Sequence, residues 1–259
     1  MSKGIFITGT DTGVGKTIVS AVIIRAMMKK GINIGAMKPI ETGCKKTAVS
    51  GQQSAVKEGT TLIPSDGMFL KEMAEMDDSI DLITPIRFEH PLAPMVASEI
   101  EKRQVEINKI FDAYDALFKK YNFMVVEGVG GLLVPINKRQ EAKGKRQKAY
   151  FVADLIKDLK LPVIVVARPT LGTINHTLLT VNHALKEGID ALGVIINFYN
   201  PPDDSIAEKT NPDVLRQLCP VPVIGTMPYI RDVNKDNIEN TAITEAIQKI
   251  FTLSGYDKK

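Results

Sequence analysis

The chain has 259 residues, 44% of them hydrophobic and 24% charged, which is enough apolar content to bury a substantial core and excludes a disordered chain. Its 33 Lys and Arg against 30 Asp and Glu leave a formal charge of +3, too balanced for a dedicated nucleic-acid binder. Cys44 and Cys219 are the only cysteines and make no CxxC pair, so neither a disulfide framework nor a zinc or thiol-redox motif is expected, and a reducing cytoplasm is the expected location.

In chain order, the segment after Met1-Ser2-Lys3 lacks the apolar core and small-residue cleavage site of a signal peptide, and export is not expected. Gly4 to Thr8 reads as a buried strand. Ile18, Val19, Val22, Ile23, Ala26 and Met27 then recur at helical spacing, with Gly31 placed to end that helix. Ile32 to Lys38 is a second strand. Leu82 to Phe88 is expected as an additional edge strand, since Pro85 weakens any central position. A helical period carries Ile107, Ile110, Phe111, Tyr114, Leu117 and Phe118, and Phe123 to Glu127 is again a strand. Pro162 to Ala167, Ala191 to Asn197 and Val221 to Thr226 complete the strands. Between the first two lies a helix from about Asn175 to Lys186 before Gly188, and Ala242 to Phe251 reads as a closing helix.

This alternation predicts an α/β fold of three layers, a mostly parallel sheet flanked by helices. No internal repeat or low-complexity linker interrupts it, so a single domain over residues 1–259 is expected. The longest apolar run, Leu161 to Ala167, is about seven residues, far short of the roughly 18 to 20 that span a bilayer, and no membrane helix is expected. Residues 138–148 hold six basic residues and one acid, so the stretch carries +5 and the remainder of the chain −2. It reads as a charged surface loop; steering of anionic substrates is the alternative.

Gly9-Thr10-Asp11-Thr12-Gly13-Val14-Gly15-Lys16-Thr17 lies between a predicted strand and a predicted helix. Triphosphates need many donors at close range, and such a loop offers backbone N–H groups at the positive end of a helix. Lys16 would bridge the phosphates and Thr17 would place its hydroxyl on Mg²⁺. Counted from Gly9 the spacing is G-x5-GKT, one residue more than the common pattern, with Thr10 at the usual first glycine. A glycine-rich turn that merely joins strand to helix would explain the glycines but not Lys-Thr at the helix start. The fold expected is therefore of the P-loop NTPase type, and no GxGxxG dinucleotide fingerprint is present.

Ligands of a parallel sheet sit beyond the carboxyl ends of its strands, which singles out residues ending strands. Lys38 ends the second strand on the P-loop edge, followed by the stiff Pro39-Ile40-Glu41-Thr42-Gly43 turn, and a second cation there would stabilise developing anionic charge. Glu127 ends the Phe123-Met124-Val125-Val126 strand before Gly128-Val129-Gly130-Gly131 and is a candidate for completing an Mg²⁺ site. The alternative for Glu127 is a turn or capping acid. Asp66, within Pro64-Ser65-Asp66-Gly67, is undecided on local pattern, which also fits an ordinary turn or helix start. His90, His176 and His183 form no HExxH and no serine sits in GxSxG, so zinc and serine-nucleophile hydrolysis lack support. Cys44 has no recognisable base beside it and reads as a small buried filler.

GTDTGVGKT at 9–17, MKPIETG at 37–43, VVEGVGGLLVP at 125–135 and LGTINHTLLT at 171–180, in this order, resemble dethiobiotin synthetase. The resemblance covers most of the chain and implies ring closure of 7,8-diaminononanoate with CO2 and ATP in biotin synthesis. It further implies that Lys16 and Lys38 hold carbamate and phosphate oxygens and that Thr17, Asp66 and Glu127 surround Mg²⁺. By the same resemblance Thr12, Gly13, Val14, Gly15, Lys16, Thr17 and Ile18 wrap the triphosphate of ATP together with Glu127, while Asn197 and Pro228 meet the adenine. Thr42, Gly130 and Gly131 fall at substrate positions. Leu171, Gly172, Thr173 and Asn175 begin a helix whose amides bind the diamine's carboxylate tail in a neighbouring subunit, implying a homodimer with shared sites. A partitioning ATPase is the alternative, but its loop carries a lysine where this chain has Asp11; a corrin-amidating synthetase would need a glutaminase domain for which the length leaves little room.

Overall fold

The computed structural model describes residues 4–48, 60–138, 149–198, 200–201 and 205–239. Strand β1 (Gly4–Gly9) is buried along its whole length and leads through the phosphate loop into α1 (Lys16–Lys29) and on to β2 (Ile34–Met37). Short elements follow: β3 (Ile40–Thr42), β4 (Lys45–Ala48), β5 (Thr60–Ile63), α2 (Ser65–Met73), α3 (Ile80–Ile83), β6 (Ile86–Phe88) and α4 (Pro94–Ile100). Next come α5 (Ile107–Phe118), β7 (Phe123–Gly131), β8 (Pro135–Lys138), β9 (Ala149–Phe151), α6 (Val152–Leu159) and β10 (Val163–Ala167). The chain continues through α7 (Thr173–Lys186), β11 (Ala191–Asn197), α8 (Ile206–Leu218), β12 (Val223–Met227) and α9 (Lys235–Glu239).

Six strands form one parallel sheet in the order β12-β11-β10-β1-β7-β2, and helices flank it to give the expected three-layer α/β architecture. Strands covered on both faces must be apolar throughout, and β1, β2, β10 and β11 are buried at every position. The chain leaves β1 for β2 on one side and later returns through β10 on the other. The carboxyl end of β1 is thus a topological switch point, where a crevice opens.

All six main strands fall where the apolar runs predict them, with shifted ends. Lys38 lies one residue past β2, because its N–H leaves the sheet to donate to Ile83 O at 2.8 Å. Strand β7 continues past Glu127 to Gly131, since glycines there let it run against the start of the phosphate loop, with a register shift between Ile7 and Gly9. A Cβ on Gly128 would sit 2.6 Å from the Phe6 ring. The helix expected from about Asn175 begins at Thr173.

The Leu82 to Phe88 expectation is corrected. Leu82 and Ile83 belong to α3, which Ser79 caps by accepting from the Asp81 N–H. Pro85 disfavours helical backbone at Thr84 and ends that helix, so only Ile86–Phe88 is extended. It pairs with β3 in a separate two-stranded sheet rather than at an edge of the main one. Lys138 ends β8 rather than opening a loop; residues 139–148 and the predicted helix Ala242 to Phe251 lie outside the described residues. Among the described residues no helix is long and apolar enough to cross a membrane.

Candidate active site at the phosphate loop

The extra residue in the loop's spacing has a structural origin. Thr10 N–H still donates to Val166 O at 2.9 Å, so the sheet ladder carries on past Gly9 before the turn starts. A Cβ on Gly9 would lie 2.8 Å from both Asp11 O and Val14 Cγ2, which requires glycine there. Gly15, at φ 82°, is the N-cap of α1 in left-handed backbone. Asp11 fixes the loop from two sides: its Oδ1 accepts from Thr12 N–H at 2.7 Å and its Oδ2 from Arg168 Nη2 at 2.5 Å. Behind the loop, buried Asn197 donates from Nδ2 to Val14 O at 2.9 Å.

A cavity of 460 Å³ opens at this loop, lined among others by Gly13, Lys16, Lys38, Thr42, Asp66 and Glu127. Thr12, Gly15, Thr17, Ile18 and Gly130 also face it. Lys16 and Lys38 are buried, at 6% and 4% exposure, and Glu127 is fully so. Lys38 Nζ bridges two carboxylates, donating to Glu127 Oε1 at 2.5 Å and to Asp66 Oδ2 at 2.8 Å. Thr17 Oγ1 donates to the same Glu127 Oε1 at 2.9 Å. The other oxygen, Glu127 Oε2, is buried with no hydrogen-bond partner among the described residues. Sequence pattern left Asp66 undecided; the fold brings it beside Lys38, 28 positions away in the chain.

These charges shift one another. Desolvation would lower the Lys38 ammonium, but the Glu127 and Asp66 carboxylates outweigh it and hold the group above the ordinary lysine range. Desolvation likewise opposes ionised Asp66, yet the Lys38 charge and hydrogen bond win and keep its carboxyl below the usual value. Lys16 goes the other way: burial first, then repulsion from Lys38, lower it to about 8. Its Nζ folds back to Asp11 O at 3.4 Å, inside the loop that would receive phosphates.

Two carboxylates and a hydroxyl are hard oxygen donors of the kind Mg²⁺ takes, and the unpartnered buried Glu127 Oε2 fits a cation beside it. A surplus carboxylate oxygen held dry without a donor is costly unless a positive charge completes the site.

The remaining predicted residues sit elsewhere. Val14 is buried under the loop, and Pro228 is exposed just beyond β12. Gly131 packs 3.0 Å (as a notional Cβ) from Gly9 O and lines a second cavity of 300 Å³ with Thr12, Leu133, Leu179 and His183. Leu171, Gly172 and Asn175 are exposed at the start of α7, outside the 460 Å³ cavity, with Thr173 buried and its hydroxyl 3.3 Å from that of Thr177. Gly172 caps α7 in left-handed backbone at φ 89°. Cys44 is buried and its thiol is pushed up to about 12 by desolvation, as a packing residue should be.

Sequence reasoning missed three polar positions. Buried Asn211 of α8 donates from Nδ2 to Pro169 O and Thr170 O at 2.8 and 3.1 Å, tying down the approach to α7. Arg168, at the end of β10, anchors Asp11. Glu41, buried on β3, accepts from the Asp66 and Gly67 N–H groups at 3.0 and 2.9 Å. No local pattern pointed to Glu41: only the fold shows that α2 starts at Ser65, after a Pro64 whose side chain cannot cap it.

A family described as AAA domain matches residues 3–237. The chain is 56% identical over 243 residues to the ATP-dependent dethiobiotin synthetase BioD of Thermodesulfovibrio yellowstonii, covering 94% of this chain and 95% of the relative. It is 37% identical to the proteins of the same name from Bacillus velezensis and Methanocaldococcus jannaschii, covering 92% and 90% of this chain and 91% and 97% of theirs. Among solved structures, the MinD cell division protein of Aquifex aeolicus superposes with a TM-score of 0.51 at 13% identity, covering 97% of each chain, a likeness of fold. Residue identity along nearly the whole length decides the assignment: this chain belongs to the ATP-dependent dethiobiotin synthetase family.

Proposed function

We propose that the cleft closes the cyclic urea of dethiobiotin from 7,8-diaminononanoate, CO2 and MgATP by way of a carbamate and a carbamic-phosphoric anhydride. Dethiobiotin synthetase activity, an ATP-dependent carbon–nitrogen ligation in biotin biosynthesis, follows from the family. The observation that carries the finer reading is the convergence of two buried ammonium groups, Lys16 and Lys38, with Asp66, Glu127 and Thr17 on one phosphate-loop cavity.

One substrate amine attacks CO2 and loses a proton, giving a carbamate. A carbamate oxygen then attacks the γ-phosphorus and ADP departs. The second amine attacks the carbonyl carbon of this mixed anhydride, phosphate leaves with the oxygen it gained, and the ring closes. The nucleophile of the phosphoryl step is already an anion, so it needs positioning and charge neutralisation rather than a strong base. Lys16 leaves Asp11 O for the phosphate oxygens, and the amides of Thr12 to Ile18 cradle them. Lys38, held charged by its two carboxylates, meets carbamate and transferring phosphoryl oxygens together. Thr17, Asp66 and Glu127 would hold Mg²⁺, which when bound neutralises charge on the β- and γ-oxygens.

Thr42 and Gly130, on the cavity wall, suit the diamine. The start of α7, with exposed Leu171, Gly172 and Asn175 around buried Thr173, offers the positive end of a helix to a carboxylate but does not line this chain's own cavity, which supports delivery to a neighbouring copy and thus a homodimer. Leu171 and Leu179 are 89% and 64% exposed, apolar surface that such an interface would cover. Asn197 and Pro228 are assigned to the adenine, which for buried Asn197 requires that its Nδ2 leave Val14 O, and residues 1–259 to a single domain.

Purified protein supplied with the diamine, bicarbonate and MgATP should release ADP in step with dethiobiotin and do neither without the diamine. ATP turnover indifferent to the diamine would reject the assignment.

A further inference from the structure

Helix α2 begins without a cap of its own. Its N-cap residue is Pro64, which has no side-chain acceptor for the N–H groups of the second and third helical residues, Asp66 and Gly67. Both donors are instead taken by one carboxylate from another element: Glu41 Oε1 accepts from Asp66 N–H and Oε2 from Gly67 N–H. Glu41 is 5% exposed, and burial raises its carboxyl while the Gly67 amide opposes the rise. Glu41 also stands three residues after Lys38, so one short segment supplies both the cation that Asp66 pairs with and the clamp on the Asp66 backbone. A Cβ on Gly67 would lie 3.6 Å from Glu41 Oε2, in van der Waals contact with this carboxylate.

From this geometry we infer that Glu41 is a positioning residue: it clamps the first turn of α2 to β3 and thereby sets the Asp66 carboxylate where the cleft's cation is held. The inference rests on the assignment of Asp66 to that cation. A glutamine at position 41 is isosteric, but because the two N–H groups are held by different oxygens, an amide placed there sets its amino group against one of them.

The test is Mn²⁺ binding to the full chain in the presence of ADP, read by electron paramagnetic resonance, with ADP binding in a chelator as the control. Glu41→Gln should weaken Mn²⁺ binding about tenfold or more while changing metal-free ADP binding less than about twofold, the size typical of losing an outer partner of a metal ligand. Asp66→Asn should weaken Mn²⁺ binding as well, and adding Glu41→Gln to it should bring no further loss, because the first acts through the second. Pro64→Ser restores a local cap and provides a second background that keeps α2 formed. A persisting Mn²⁺ defect of Glu41→Gln there supports positioning, and full recovery overturns it in favour of capping alone. Unchanged Mn²⁺ binding in Glu41→Gln overturns this inference while leaving Asp66's role intact; unchanged binding in Asp66→Asn overturns both.

Discussion

Lys16 and Lys38 are two ammonium groups buried in one cleft that titrate in opposite directions. Lys38 has Glu127 and Asp66 against it and stays charged, whereas Lys16 has burial and Lys38 against it, only partly offset by Glu127, Asp66 and Asp11, and falls to about 8. The consequence is a pH-dependent affinity for nucleotide. Bound phosphates favour protonated Lys16 and raise its pKa. Below about 8 the free protein already carries that proton and affinity is level; above it, binding must take the proton up, and affinity falls by a slope approaching about tenfold per pH unit. Calorimetric titration with ADP from pH 7 to 9.5 should show the break and proton uptake on its alkaline side, and a level affinity would contradict it. Lys16, Thr17, Lys38 and Glu127 were legible in the sequence, because each sits at the junction of an apolar run and a loop, where chain position alone puts it on the ligand edge. Asp66 was undecided on local pattern and reached only through the family resemblance, and Glu41 was not reached at all, since what it does depends on a contact across 25 positions that no local pattern encodes.

At the scale of elements, the first turn of α2 is closely packed against Thr84 and Glu41. Gly→Ala inside a helix ordinarily stabilises by about 0.5–1 kcal/mol. At Gly67 the sign should reverse, because the added Cβ would lie 1.9 Å from Thr84 Oγ1. We expect Gly67→Ala to cost about 1–3 kcal/mol, as overpacking does. Thr84 Oγ1 is buried without a hydrogen-bond partner among the described residues, so Thr84→Ala should relieve most of that cost in the double variant. Thermal denaturation of the four proteins reads both effects; a Gly67→Ala variant as stable as the parent would show that α2 can shift freely. The same element scale shows what apolar runs can reveal. Strands buried on both faces announce themselves in composition, whereas Leu82 to Phe88 mixes a helical turn with three extended residues, and only the backbone restriction imposed by Pro85 separates them.

For the molecule as a whole, alternating strands and helices foretold a parallel sheet, but its order β12-β11-β10-β1-β7-β2 follows from which helix crosses which face, and no periodicity in the chain records that. The order matters because it sets the ends of β1, β2 and β7 side by side, so that the phosphate loop, Lys38 and Glu127 meet over one cavity. What the assembled cleft is proposed to do is join CO2 to phosphorus through oxygen, and that bond leaves an isotopic record. Turnover with C¹⁸O₂ in unlabelled water, sampled before the label exchanges, should yield phosphate carrying one ¹⁸O for each dethiobiotin formed, detected by mass spectrometry. Phosphate without ¹⁸O, formed alongside dethiobiotin, would contradict the account.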